Sequence, residues 1–274
     1  MKHFLLCSVV ALCPAAVIAQ EAATPWTPSA RSSARFVASG PLEGATYSAG
    51  VEIHLNPKTI TYWRNPGDAG VPPLLSVEGS DNLAKAVLLF PAPRRIAEAG
   101  GVEAFGYDGD VLLPMSITPL DAAKPVRLVL NFAYAACEKI CVPASAEGEL
   151  VLAPAAAATS HAGTIAAAVR ALPKVLAENE AVALLSIKPA GGGEKPQWSL
   201  AFPSEAGISD VFAEGAEGFS FETGPATATG SFMLVLTGHP KDAALPGIAL
   251  RLTAVGSKGA FEISTHLDAG PAKP

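Results

Sequence analysis

The residues best equipped for chemistry are Cys137 and Cys141, which stand in YAACEKICVP with three residues between them. Thiols at that spacing are near enough to bridge, and three kinds of chemistry use such a pair. A structural disulfide is common in exported proteins. Closing a loop of five residues, however, removes only about 2 kcal/mol of unfolded-chain entropy, less than a bridge between distant strands would. The second is thiol–disulfide exchange, in which one sulfur accepts a mixed disulfide and the other resolves it. A pair in a tight, exposed loop is the exchangeable kind, and Lys139 favours a thiolate where Glu138 opposes it. The third is a soft ion such as Cu(I) held by two thiolates. Spacing reports neither pKa nor accessibility, so the residues alone leave the structural and redox readings open.

Other chemistries find less support. His54, His161, His239 and His266 are scattered without an HxxxH pattern, which argues against a closed zinc site, and no metal-binding or cofactor-binding residues are assigned. GxSxG, HExxH and GxxxxGK motifs are absent, and Gly191 to Gly193 reads as a flexible turn. Asp108 and Asp110 in GYDGD are read as turn formers, not as a catalytic carboxylate pair. Tyr62 and Trp63 suit a sandwich core, and beside a thiol pair they would equally shield it or offer a docking surface.

The elements that must position the cysteines are short strands. Val51 to Leu55, Thr59 to Trp63, Ala84 to Phe90, Val111 to Ile117, Val126 to Tyr134 and Gly148 to Leu152 are apolar runs, several alternating with a period of two, separated by turn formers. An Ala-rich stretch, residues 153–163, reads as a linker. Thr164 then caps a short helix whose Ile165, Val169, Leu172 and Leu176 share a face against the second half of the chain, with Pro173 ending it. Beyond lie VALLSIKP, QWSLAF, FSFETG, SFMLVLTG, IALRLTAVG and AFEISTHL, a second set of strands without cysteine. The expected fold is all-β: two immunoglobulin-like antiparallel β-sandwich domains, residues 24–152 and 164–270.

Composition agrees with that plan. The chain has 274 residues, half of them apolar and 16% charged, which excludes a disordered polymer and exceeds the usual size of one domain. Its 25 Gly and 24 Pro favour turns over long helices. The net charge of −6 is not gathered into blocks, so no nucleic-acid partner is expected. Lys2, the apolar run from Phe4 to Ile18 and the Val17, Ile18, Ala19 cleavage pattern identify residues 1–19 as a secretory signal, too short and too interrupted by Pro14 for an anchor. Cys7 and Cys13 leave with it, and Cys137 and Cys141 remain in a soluble, exported chain.

TYWRNPGDAGVPP (Thr61 to Pro73), GYDGDVLLP (Gly106 to Pro114) and YAACEKICVP (Tyr134 to Pro143) resemble, in that order and spacing, the amino-terminal periplasmic domain of DsbD and its ScsB-type relatives. The resemblance covers about residues 26–152, and the second set of strands looks like the companion domain of the ScsB-type branch, whose CxxxC spacing this chain shares. It implies an immunoglobulin-like redox domain that takes electrons from a thioredoxin-like partner and passes them to oxidised periplasmic thiol proteins, such as disulfide isomerases or cytochrome c maturation factors. By the same resemblance Cys137 and Cys141 are the catalytic pair, with Cys141 attacking and Cys137 resolving. Two departures stand out. Full-length members continue into a multi-helix membrane domain, so a separate membrane electron donor is expected here. The aromatic cap loop of the best-known members corresponds to Glu98 to Gly101, which has no aromatic residue, so shielding falls to Phe105, Tyr107 or Trp63. The second domain is expected to serve docking or orientation. The competing functions are a non-catalytic binding module with a structural disulfide and a Cu(I)-handling protein.

Overall fold

The structure is a computed structural model that describes residues 22–67, 70–97, 103–191, 195–241 and 247–267. The expected signal, residues 1–19, lies outside them. The first strands are β1 (Thr27–Pro28), β2 (Ser32–Ala38), β3 (Tyr47–Leu55), β4 (Ile60–Tyr62), β5 (Leu74–Ser76) and β6 (Leu83–Leu88). They are followed by β7 (Arg94–Ala97), β8 (Glu103–Tyr107), β9 (Val111–Pro119), β10 (Val126–Cys137) and β11 (Cys141–Leu152). They build two facing sheets, one ordered β1-β2-β3-β9-β6 and the other β11-β10-β4-β8-β7, with β5 also paired to β10. Alternation explains the arrangement: Phe36, Tyr47, Val51, Leu113, Met115, Ile117, Leu128, Leu130 and Phe132 all point inward and form one buried core.

The second half contains α1 (Ala162–Arg170), β12 (Lys174–Val175), α2 (Glu178–Leu184), β13 (Ser186–Ala190) and β14 (Gln197–Ala201). It closes with β15 (Ile208–Gly215), β16 (Ser220–Thr223), β17 (Phe232–Gly238), β18 (Ile248–Gly256) and β19 (Gly259–Leu267). The sheets β12-β19-β18-β15 and β13-β14-β17-β16 enclose a second core around Trp198, Leu200, Val211, Phe232, Leu252 and Ile263. The molecule is thus all-β and sandwich-like, with mostly antiparallel strands, as the sequence pattern indicates. No helix among the described residues is long and apolar enough to cross a membrane.

The two sandwiches share an interface. Phe212 on β15, Thr253 on β18 and Glu262 on β19 lie in register as one row across the second sandwich. Phe212 and Thr253 are fully buried, and Phe212 joins the first core, with its ring 4.9 Å from that of Phe105 and 5.9 Å from that of Trp63. Its chain neighbours Val211 and Ala213 point the other way, into the second core. The centre of this sheet is therefore covered on both faces.

Several elements differ from the sequence expectation. The strand expected to end near Tyr134 runs on to Cys137, and the one expected from Gly148 starts at Cys141, because the β10–β11 ladder continues unbroken from Val126↔Leu152 to Cys137↔Cys141. β2 and β8 fall outside the expected set, since their small Ala and Gly residues weaken the apolar signal. Val182 to Leu184, read as strand, end helix α2, which starts where Glu180 accepts a hydrogen bond from the Ala177 N–H at 3.0 Å.

Helix α1 starts at Ala162, ahead of Thr164, with His161 at its N-cap making no side-chain capping bond, and it packs on β9 and β3 of the first sandwich instead of on the second. The cause is the segment before it. Leu42 N–H donates to Pro154 O, Thr159 N–H to Ser39 O, and Thr159 Oγ1 to Ala38 O, so the expected linker is strapped to the first sandwich. Gly40 makes room for it: its φ is +136°, and a Cβ there would lie 2.7 Å from Ala158 Cα. Gly40→Ala is expected to lower unfolding stability by about 1 kcal/mol or more and to speed protease cleavage between Pro154 and His161. Denaturant titration and timed proteolysis check both, and an unchanged cleavage rate would show that the strap does not depend on this contact.

Candidate functional site: a bridged cysteine pair

The last residue of β10 and the first of β11 are joined by a disulfide across the hairpin, with their Cα atoms 4.0 Å apart. Glu138, Lys139 and Ile140 form the turn beyond it, all exposed. The two halves of the bridge differ in environment: Cys137 is 2% exposed, whereas Cys141 is open to solvent.

Alternation on β10 accounts for the burial of Cys137. Tyr134 and Ala136 point into the main core, so Ala135 and Cys137 point to the outer face of the sheet. There they meet Tyr62, Ala104 and Ile60 in a second, small apolar cluster. β4 brings this cover into place by pairing with β10, Ala136 opposite Thr61 and Cys137 opposite Ile60, and Thr61 Oγ1 donates to Ala135 O at 2.9 Å. On the other side of β4, Gly106 of β8 lies opposite Tyr62, and any Cβ at Gly106 would collide with the Thr61 carbonyl. Glycine is required for that close approach of strands.

Tyr62 reaches the bridge itself. Its hydroxyl lies 3.2 Å from Cys141 Sγ. A disulfide sulfur carries no hydrogen, so the phenol donates. Its ring is covered in turn, because a Cβ on Gly70 would crowd both Pro66 and Tyr62 Cδ1, the latter at 2.7 Å.

The other three aromatic residues singled out in the sequence lie on the opposite face of the same sheet. Trp63 and Phe105 are buried against Phe212, and Tyr107 is buried with its hydroxyl donating to Pro91 O at 2.9 Å. Burial pushes the Tyr107 phenol well above its ordinary pKa. Trp63 follows Tyr62, the last residue of β4, and continues its extended course with an N–H bond to Phe105 O, so the pleat sends the two to different faces. The stretch Glu98 to Gly101, the counterpart of the cap loop, lies outside the described residues.

Sequence reasoning missed several neighbours. Arg31, in the β1–β2 turn, forms an ion pair with Glu138 and so neutralises the one acidic residue inside the cysteine loop. No sequence signal joins positions 107 residues apart. Ile140, next to Cys141 at the hairpin tip, is 70% exposed, which puts an apolar side chain on the surface beside the open cysteine. Asp108 and Asp110 sit in the β8–β9 turn, with Asp108 paired to Arg94 and Asp110 accepting from Leu55 N–H. Among the described residues, no group of three or more His, Cys, Asp or Glu converges as metal ligands would.

Known proteins share both the sequence pattern and the fold. Residues 29–153 match the family described as thiol:disulfide interchange protein DsbD, N-terminal. The fold is similar to the crystal structure of the N-terminal periplasmic domain of ScsB from Proteus mirabilis, at a TM-score of 0.68 and 17% identity, over 91% of this chain and 99% of that one. No curated protein sequence matches the chain. The cysteine hairpin lies inside the matched segment, so it is residues 29–153 that resemble the DsbD N-terminal family.

Proposed function

We propose that this chain is a periplasmic thiol:disulfide interchange protein in which Cys137 and Cys141 cycle between dithiol and disulfide. The observation that carries the reading is the unequal exposure of the two bridged cysteines, which gives an incoming partner one sulfur to meet and keeps the other in reserve. A purely structural bridge has no need of that asymmetry. Residues 24–152 carry the chemistry, residues 153–163 connect, and the strands within residues 164–270, beyond helix α1, form the second domain. The match of residues 29–153 to the DsbD N-terminal family supports the activity, and the periplasmic ScsB domain of similar fold supports the location.

In the reductive direction the Cys141 thiolate attacks a disulfide of a thioredoxin-like partner. A mixed disulfide forms at Cys141, and the displaced partner sulfur leaves as a thiolate and takes up a proton. Cys137 loses its proton and attacks Cys141 Sγ, which releases the second partner thiol. The partner gains two electrons and two protons, and the Cys137–Cys141 bond is restored. A reduced thioredoxin-like donor, itself supplied by a separate membrane protein, reloads the pair by the reverse sequence. The exposed Ile140 beside Cys141 suits transient docking of such partners at the sulfur.

Cys137→Ala is expected to accumulate a mixed disulfide with an oxidised thioredoxin-like protein, because the resolving thiol is gone. Cys141→Ala is expected to accumulate far less, because the remaining thiol is buried. Non-reducing electrophoresis with mass spectrometry of the adduct reads the difference, and equal or absent trapping counts against the assignment. The reduction potential of the wild-type pair, measured by equilibration with glutathione, is expected between about −270 and −120 mV, the range of thioredoxin-like exchangers. A value below about −300 mV would identify a structural bond and overturn the proposal.

A further inference from the structure

The covering of Tyr62 leads away from the cysteines and into the second sandwich. Immediately after Trp63, Arg64 crosses the interface: its Nε and Nη2 donate to Glu214 at 3.0 and 2.8 Å, and Nη2 also donates to Glu262 at 2.6 Å. The guanidinium also lies over the Trp63 ring, 4.6 Å from its centroid. Burial opposes its charge, but the two carboxylates outweigh that effect and hold it above its ordinary pKa. Asn65 Nδ2 donates to Ala213 O at 2.9 Å. From there the chain turns back, Pro66 O accepts from Phe105 N–H at 3.0 Å, and Pro66 and Gly70 close over the Tyr62 ring. A continuous run of contacts thus links Glu214, Glu262 and Ala213 of the second sandwich to the hydroxyl beside Cys141 Sγ.

We infer that the second sandwich is a positioning element for the reactive sulfur, with Arg64 and Asn65 as its positioning residues: by gripping them it fixes Pro66, which with Gly70 seats Tyr62 on Cys141. The inference rests on Cys141 being the reactive thiol. A phenol held in donating position stabilises the Cys141 thiolate and lowers the pH at which it forms. A phenol free to swing away does not. The other charged groups at the hairpin, Glu138 paired with Arg31 and Lys139, belong to other elements and do not touch the Arg64 contacts.

The test uses the full, reduced protein and follows the pH profile of Cys141 alkylation by iodoacetamide in a Cys137→Ala background. Tyr62→Phe is expected to move the midpoint to higher pH. Arg64→Ala, and Asn65→Ala as the milder variant should Arg64→Ala fold poorly, are expected to move it in the same direction. In a Tyr62→Phe background neither should add a further shift. Arg95→Ala supplies the control: Arg95 bridges the same interface through Asp210 and Thr223 without bonding to Arg64, Asn65 or Pro66, and the midpoint should stay in place. An unchanged midpoint in folded Arg64→Ala and Asn65→Ala, additive shifts with Tyr62→Phe, or an equal shift from Arg95→Ala would each overturn the inference. Alkylation reads the thiol alone, so failure here is separate from failure to exchange with a partner.

Discussion

The placement of the site depends on the pairing of β10 with its neighbours. β10 pairs with β11, β4 and β5, and its register against each decides what surrounds the cysteines. Because side chains alternate, a slip of one residue would send Cys137 into the main core and Tyr134 to the outer face. The register is held from both sides. On one side twelve residues of β11 run opposite β10, and on the other the Thr61 hydroxyl is bonded to the Ala135 carbonyl. Inside, Tyr134 shares a buried hydrogen bond of 2.8 Å with Ser32 of the opposite sheet. These contacts make the difference in exposure between the cysteines a property of the sheet.

The interface between the sandwiches combines an apolar centre with charged flanks. Phe212 supplies the centre, while Arg64 with Glu214 and Glu262, and Arg95 with Asp210 and Glu103, lie to either side. Partly buried ion pairs of this kind add little net stability, since desolvation offsets much of the attraction. Their geometric demand is high, because a guanidinium fork bonded to two carboxylates tolerates few relative orientations. Apolar burial holds the two units together, and the arginines fix the angle.

Much of this was legible in the sequence. Alternation in VEIHL, VLLPMSI and VRLVLNF predicts strands that the fold contains, and CEKIC marks the hairpin that carries the bridge. The strand ends were not legible, because small residues such as Ala135 and Ala136 carry no strong strand preference and depend on their partners across the sheet. Helix α2 was hidden for a related reason: Val182 to Leu184 read as a strand until Glu180 starts the helix ahead of them. The choice among aromatic residues also required coordinates. Tyr62 and Trp63 are adjacent in sequence, and only the parity of β4 against β10 reveals which of them shares a face with the sulfur.

The sheet covered on both faces bears on how the chain comes to be folded. A chain is made from its amino end, and Trp63, Phe105 and Arg64 are synthesised long before their counterparts, with 150 residues separating Arg64 from Glu214. Until Phe212 arrives, the half that holds the cysteines presents an aromatic surface without its cover, while on the other face of the same sheet two thiols have yet to be joined. Native assembly is therefore a race between completing the second half and the wrong associations open to the first.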